Sequence, residues 1–371
     1  VTVTHRISQQ QSPFHRDAWI EIDLNALEHN YHLIKSKLNQ NTDLMAVVKS
    51  DAYGHGANVI APVLESCGCK FFAVASVDEG IQLRECGIKG DILLLCPPPL
   101  WSLKDIVAHD IQTSIFNIKQ LLELEKLYQS HPIPVQIQVN TGMNRSGCSF
   151  ELVGEIIEHV LERSSIFSLR GVFTHLACAG DHPFTRFQVN NFRLSISRFP
   201  REKLGKLHVG ASSSLPIADL NFDLVRIGLS LYGLGAHVPG SLAVLGVLAR
   251  ICLLQRLKAG DSVGYGITWT AERDSTIGLL PLGYADGIKR TLSNKIKGIY
   301  HGQAIPQIGR ISMDQLSVDL TDCQNEAQIG DLVTLIGKEI YLREWAEILD
   351  TVEYEVACDL RARLPKVYVR K

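Results

Sequence analysis

The sequence has no C-x-x-C pair, although it carries nine cysteines (Cys67, Cys69, Cys86, Cys96, Cys148, Cys178, Cys252, Cys323 and Cys358). An odd count without metal-ligand spacing argues against a disulfide framework or a zinc site, and for reduced thiols in a cytosolic setting. Net charge is nearly absent too. The formal value is −2, and no run of like charge occurs. Such a chain lacks the electrostatic footprint for nucleic acid or an anionic membrane. Long apolar runs are also missing: the most apolar segment, "SLAVLGVLARICLL", is interrupted by Arg250 and too short to span a bilayer. Residues 1–16 are polar, without the apolar stretch of a signal peptide. The chain begins with Val1, which reads as the start of a processed or excised piece. What is present is 371 residues, 46% hydrophobic and 20% charged. That composition is globular, and the length predicts a large domain plus a second one, with small-molecule chemistry as the default.

From residue 17 to about 235, short apolar runs alternate with helical patterns. The opening helix shows Leu24, Leu27, Tyr31, Ile34 and Leu38 at three- and four-residue spacing, with Asp23 available as a cap. Candidate strands follow at "LMAVV", "FFAVAS", "DILLL", "IQTSIF", "PVQIQV", "LRGVFT", "KLHV" and "DLVRI". Helices fit between most of them, Phe150 to Ser164 being the clearest. Uniformly apolar strands with helical crossovers mean a parallel sheet covered on both faces. Eight such units predict a (β/α)₈ TIM-type barrel. A doubly wound sheet is the competitor, but no G-x-G-x-x-G follows the first strand. After Leu245 the pattern changes to β-rich runs joined by glycine and aspartate turns, with one short helix near Tyr341 to Leu349. That predicts a mainly antiparallel β domain. The expected limits are a polar extension over 1–16, the barrel over 17–240 and the β domain over 241–371.

In "AVVKSDAYGHG", Lys49 ends an apolar strand and is followed by a glycine-punctuated loop. It is either a lysine that snorkels to water or a desolvated amine kept for Schiff-base chemistry. Barrel active sites lie at the carboxyl ends of the strands, and several unusual residues fall there. Arg145 is in "NTGMNRSG", His175 is in "FTHLACAG", and "GASSS" follows the seventh strand. Arg226 and Gly228 are in "VRIGLSLYG". Small and hydroxyl residues after strands seven and eight suit a phosphate. Singly, each has a plain structural reading; together they leave room for pyridoxal phosphate.

The lysine segment resembles that of the alanine racemases, fold-type III pyridoxal-phosphate enzymes. "WIEIDLNALEHNY", "NTGMNRSG", "FTHLACAGD", "VRIGLSLYG", "VGYGITW", "LPLGYADG" and "GRISMDQLSVDL" are similar to that family's segments, in its order. The resemblance implies interconversion of L- and D-alanine with pyridoxal 5'-phosphate on Lys49. Lys49 and Tyr265 would serve as acid/base groups on opposite faces of the substrate α-carbon. One base alone tends to return the proton to the face it left. An ordinary tyrosine is a poor base, and His175 and Arg226 match the residues that would act as its cationic neighbours. Arg226 also matches the residue facing the pyridine nitrogen, which a permanent cation would leave unprotonated. Tyr53, Ser212, Gly228 and Leu229 match the phosphate cradle. Arg145 matches the contact to the cofactor's phenolic oxygen, and Met313 and Asp314 match residues that reach the substrate. Tyr284 matches the entrance. The resemblance further implies a homodimer with composite sites, no metal and a cytoplasmic location.

The chain departs from the family pattern at four positions. Gln138 stands where many relatives have a lysine, often carbamylated, that steadies the arginine corresponding to Arg145. Asn140 replaces an aspartate, and Ala211 replaces an asparagine. Ala362 falls where some relatives have a tyrosine beside the phosphate, a change that would favour serine or a broader substrate range. Two rivals have less support. A single-domain pyridoxal-phosphate homeostasis protein would lack the second domain, and a fold-type III decarboxylase would need a reactive late cysteine in a context that Cys323 and Cys358 do not have.

Overall fold

The computed structural model describes residues 15–178, 182–235, 238–360 and 363–371. Ala362 lies outside them.

Two sheets organise the chain. The eight-stranded sheet consists of β2 (Asp43–Val47), β3 (Phe71–Val74), β4 (Asp91–Leu94), β5 (Gln112–Ile115), β6 (Ile133–Gln138), β7 (Phe167–Phe173), β8 (Lys206–His208) and β9 (Leu224–Ile227), with β1 (Ala18–Asp23) lying outside it. Its pairs are parallel and run β8-β7-β6-β5-β4-β3-β2-β9. The two ends approach each other: Asp223 N donates to Leu207 O (3.0 Å) and Arg226 N donates to Gly210 O (3.1 Å), so the barrel nearly closes. The eight strands sit on the eight apolar runs. Their outer residues join the large core beneath the helices, while Met45, Val47, Ala73, Leu93, Phe173 and Leu224 form a separate cluster that includes side chains from five of the strands. The first helix spans Leu24–Lys37, and its Asp23 cap accepts from Asn25 N and Ala26 N. The expected helix around Phe150 to Ser164 runs from Val153 to Glu162.

β1 was not anticipated as a strand. It pairs antiparallel with β10 (Leu245–Arg250) and parallel with β17 (Lys366–Val369), inside the nine-stranded sheet. The expected barrel limits of 17–240 therefore take in a segment belonging to the other sheet. Its alternation is partly hidden because Ala18, Trp19, Ile20 and Ile22 are all buried, one face against the core and the other against Leu248, Val367 and Val369. The rest of that sheet is β11 (Leu253–Leu257), β12 (Ser275–Leu280), β13 (Lys297–Tyr300), β14 (Gln303–Ile308), β15 (Leu316–Asp319) and β16 (Leu332–Ile336), all antiparallel. The β domain has two helices after β16, not one: Leu342–Ile348 and Glu353–Asp359. The second is short and acidic at its start. It is held by the burial of Val356, Ala357 and Leu360, a helical spacing too brief to stand out in the sequence.

Candidate functional site

Lys49 follows the end of β2, and the four residues after it adopt a conformation rare for L-amino acids. Ser50, Asp51, Ala52 and Tyr53 have φ of 56°, 55°, 54° and 54°, a left-handed turn without glycine. Each such residue costs about 1–2 kcal/mol, so four cost on the order of 4–8 kcal/mol that the surroundings must offset. Ser50 N donates to Glu79 Oε1 (2.6 Å), while Glu79 Oε2 accepts from Ala75 N (2.8 Å) and Ser76 N (3.2 Å). Asp51 Oδ1 accepts from Ala57 N (2.8 Å) and its Oδ2 faces Lys366 Nζ (2.9 Å). His55 is fully buried, and burial pulls its pKa down to about 4. Its ring is therefore neutral, and Nδ1–H donates to Ala52 O (2.9 Å) and Tyr53 O (3.0 Å). Gly54 ends the turn at φ 84°, where a Cβ would lie 2.5 Å from Ala357 O.

Across the barrel mouth, Arg226 is buried on β9 and has no carboxylate partner among the described residues. Nη1 donates to His208 Nδ1 (2.8 Å) and His208 O (3.2 Å); Nη2 donates to Thr174 O (2.7 Å), Val209 O (3.2 Å) and His175 Nδ1 (3.2 Å). Burial lowers the Arg226 pKa to about 9, so the guanidinium remains a cation at neutral pH. Both imidazoles receive a proton donor at Nδ1, which leaves the hydrogen on Nε2. In His208 that Nε2–H meets Gln136 Oε1 (2.6 Å), and Gln136 Nε2 donates onward to Gln112 Oε1 (2.7 Å). Burial first, then Arg226, Arg145 and Lys49, drive the His175 pKa down to about 3. His175 is thus a neutral donor and not the cationic neighbour expected. Its shift also shows that the Arg145, Lys49 and Arg226 charges converge on one place.

Beside this cluster, Ser212 Oγ accepts from Gly228 N (3.2 Å) and Ser230 N (3.4 Å), and the buried Ser230 hydroxyl has no partner. A Cβ on Gly228 would lie 2.6 Å from Tyr53 Oη, so Gly228 brings bare backbone up to that phenol. Leu229 opens the 3₁₀ turn Leu229–Tyr232 that follows. Burial raises the Tyr53 pKa above its ordinary value, keeping its hydroxyl a donor. Hydroxyls and backbone N–H groups without a carboxylate suit a phosphate. Gln138 donates to Ser146 Oγ (3.1 Å) while its own buried Oε1 has no partner. Asn140 shapes the loop that carries the exposed Arg145, its Oδ1 accepting from Gly142 N (3.2 Å) and Asn144 N (3.0 Å).

Of the four expected residues of the β domain, Tyr284 and Met313 lie on loops bonded to each other, with Asp314 next in sequence to Met313. The Tyr284 and Ala285 amides donate to Ser312 O and Met313 O (both 3.0 Å), so the two loops travel together. Asp314 Oδ1 accepts from Arg363 (2.7 Å). Tyr265 is 70% exposed, between Gly264 and Gly266, and Met313 and Tyr284 are also exposed. The described hydrogen bonds join none of these four to a barrel residue. Sequence reasoning missed Glu79, His208 and Lys366. Glu79 could be read as half of a capping box with Ser76, but nothing in the sequence tells that its other oxygen reaches Ser50.

The neutral histidines predict a pH dependence. An unfolded histidine titrates near 6.5, whereas folded His55 and His175 stay neutral down to about 4 and about 3. As pH falls below 6.5, the unfolded chain takes up protons that the folded one refuses, so stability is full above that pH and declines towards about pH 3–4. In urea unfolding at pH 7, 6 and 5, His175→Asn should lose stability less steeply with acid than the parent. Parallel slopes would contradict the assignment.

Comparison with known proteins agrees with this geometry. Residues 22–236 match the family "Alanine racemase, N-terminal domain" and residues 244–368 match "Alanine racemase, C-terminal domain". An alanine racemase of Nostoc sp. is 38% identical, over 99% of this chain and 99% of that protein. The crystal structure of alanine racemase from E. faecalis superposes with a TM-score of 0.89 at 30% identity, covering 96% of this chain and 99% of that one. Alanine racemase from Bartonella henselae, solved with covalently bound pyridoxal phosphate, superposes at 0.86 and 30% identity, covering 95% and 99%. With both domain families matched in order, the chain belongs to the alanine racemase family.

Proposed function

We propose that this protein is a pyridoxal-phosphate-dependent racemase interconverting L- and D-alanine, with Lys49 and Tyr265 as its two acid/base groups. The observation that carries the reading is the mouth shared by Lys49, the buried cation Arg226, neutral His175 and the hydroxyl-lined cradle. These residues fit pyridoxal phosphate. Ser212, the unpartnered Ser230 hydroxyl, Tyr53 and the backbone of Gly228 and Leu229 would hold its phosphate, Arg145 its phenolic oxygen, and Arg226 its ring nitrogen. When bound, the group acidifies the substrate α-hydrogen by delocalising the electron pair left behind.

The chain's own residues then decide where the proton goes. Lys49 Nζ would take it from one face or return it there, and Tyr265 Oη would do the same on the other, so configuration is inverted and not merely exchanged. Arg226, a cation at neutral pH, would disfavour protonation of the ring nitrogen and restrain that delocalisation, which suits moving one proton and little else. His175 would present Nε2–H to the Tyr265 phenolate as a neutral donor. Met313 and Asp314 would orient the substrate, and Tyr284 would line its path. The exposure of Tyr265, Ile267, Met313 and Tyr284 supports a homodimer in which the β domain of one subunit completes the barrel site of the other. All nine cysteines are free, which fits the cytoplasm.

Four outcomes test this reading. Borohydride should fix the cofactor to the peptide carrying Lys49, and labelling of a different lysine would sink the assignment. Tyr265→Phe should keep the bound cofactor but lose racemisation about 10²–10⁴-fold, with residual α-proton exchange confined to one enantiomer in deuterated water. Mixing Lys49→Ala and Tyr265→Phe chains should restore part of the activity; verified heterodimers that stay inactive would exclude shared sites. Gln138 cannot form a carbamate, so activity should not respond to bicarbonate; a wild-type dependence on it would refute this expectation.

A further inference from the structure

We infer that Lys366 is a positioning residue for Lys49, acting from the β domain through the left-handed turn. This rests on the reading of Lys49 as the cofactor-bearing lysine. The turn Ser50–Tyr53 is locally unfavourable in every residue, and its own side chains that reach outward include Ser50, whose Oγ accepts from Cys358 Sγ (3.8 Å), and Asp51. Asp51 is the turn's own charged side chain. One oxygen caps the start of the helix Ala57–Ser66 through Ala57 N, and the other faces the Lys366 ammonium at 2.9 Å. Lys366 is the first residue of β17, which lies at the edge of the nine-stranded sheet against β1. Two residues on, and hence on the same face of the strand, the Tyr368 hydroxyl fills the space where Gly56 lacks a side chain. The neighbouring helix Glu353–Asp359 presses Ala357 O against Gly54. The β domain therefore touches the turn and its flank at Ser50, Asp51, Gly54 and Gly56, and of these contacts the one at Asp51 is ionic.

Both partners are partly screened from solvent, with side-chain exposures of 17% for Lys366 and 36% for Asp51. Without the ammonium, Asp51 retains the Ala57 amide but loses the partner that fixes its direction. The turn is then free to relax towards ordinary backbone geometry. Lys49 immediately precedes Ser50, so any relaxation re-aims its amine. Glu79 grips the same turn from the barrel side through Ser50 N, which supplies an independent lever on the same residue.

The test uses the full-length holoprotein with Lys366→Met, Lys366→Arg and Glu79→Gln. Lys366→Met should alter the visible circular dichroism band of the bound cofactor and weaken cofactor affinity by about tenfold or more. It should also lower kcat by about ten- to a hundredfold, the scale of an ångström-level misplacement, with KM for alanine changed far less. Lys366→Arg should restore all three. A Lys366→Met protein with lowered thermal stability but wild-type dichroism, affinity and kcat would overturn the inference, leaving the ion pair a purely structural contact. If Lys366→Met fails to fold, Glu79→Gln decides by the same dichroism and kcat criteria. A borohydride label on a lysine other than Lys49 in the wild type would overturn the functional reading, and this inference with it. A Lys49 label combined with an indifferent Lys366→Met overturns the inference alone.

Discussion

Four consecutive L-residues in left-handed backbone cannot persist without outside support. Much of the surroundings of Lys49 can be understood as that support. Glu79 comes from a helix of the barrel, His55 from the loop itself, and Ala357, Lys366 and Tyr368 from the β domain. Glycine does not supply the turn; it supplies the close approach on either side, at Gly54 and Gly56. The strain and the packing are thus two sides of one arrangement. The loop is distorted because the neighbours over-determine it, and the distortion fixes where the lysine stands.

A second constraint concerns charge. Burying a guanidinium is costly, and proteins usually meet the cost with a carboxylate. Arg226 meets it with three carbonyl oxygens and two imidazole nitrogens. Burial first, and the Arg226 charge second, keep His175 and His208 from being protonated. The Gln136–Gln112 pair continues the same pattern, each donor pointing away from Arg226.

The barrel was legible because its strands are buried on both faces and therefore read as unbroken apolar runs; "FFAVAS" and "DILLL" leave little alternative. Lys49, His175 and Arg226 were legible as polar residues ending such runs. β1 was not, because a six-residue strand reveals itself only through partners, and those of Ile20 are Val247 and Lys366. The left-handed turn was not legible either. Local preference assigns such geometry to glycine, and "SDAY" contains none. The neutrality of His175 arises from burial and from three cations distant in sequence, so no local pattern could announce it.

The placement of β1 makes the barrel an insertion within the β domain: the chain starts in the nine-stranded sheet, leaves it for some two hundred residues (the barrel's share of the sequence), and returns at β10. During synthesis the barrel can complete its own strand pairings while Ala18–Asp23 still has neither partner. Pairings this distant are slow to form, and an apolar strand left waiting is open to association with other chains. Because β17 follows the whole barrel in the sequence, the segment that bears on the Lys49 turn is made after the barrel's strands. A nascent chain that has not yet reached β17 would therefore have a formed barrel before the contact between Asp51 and Lys366 exists.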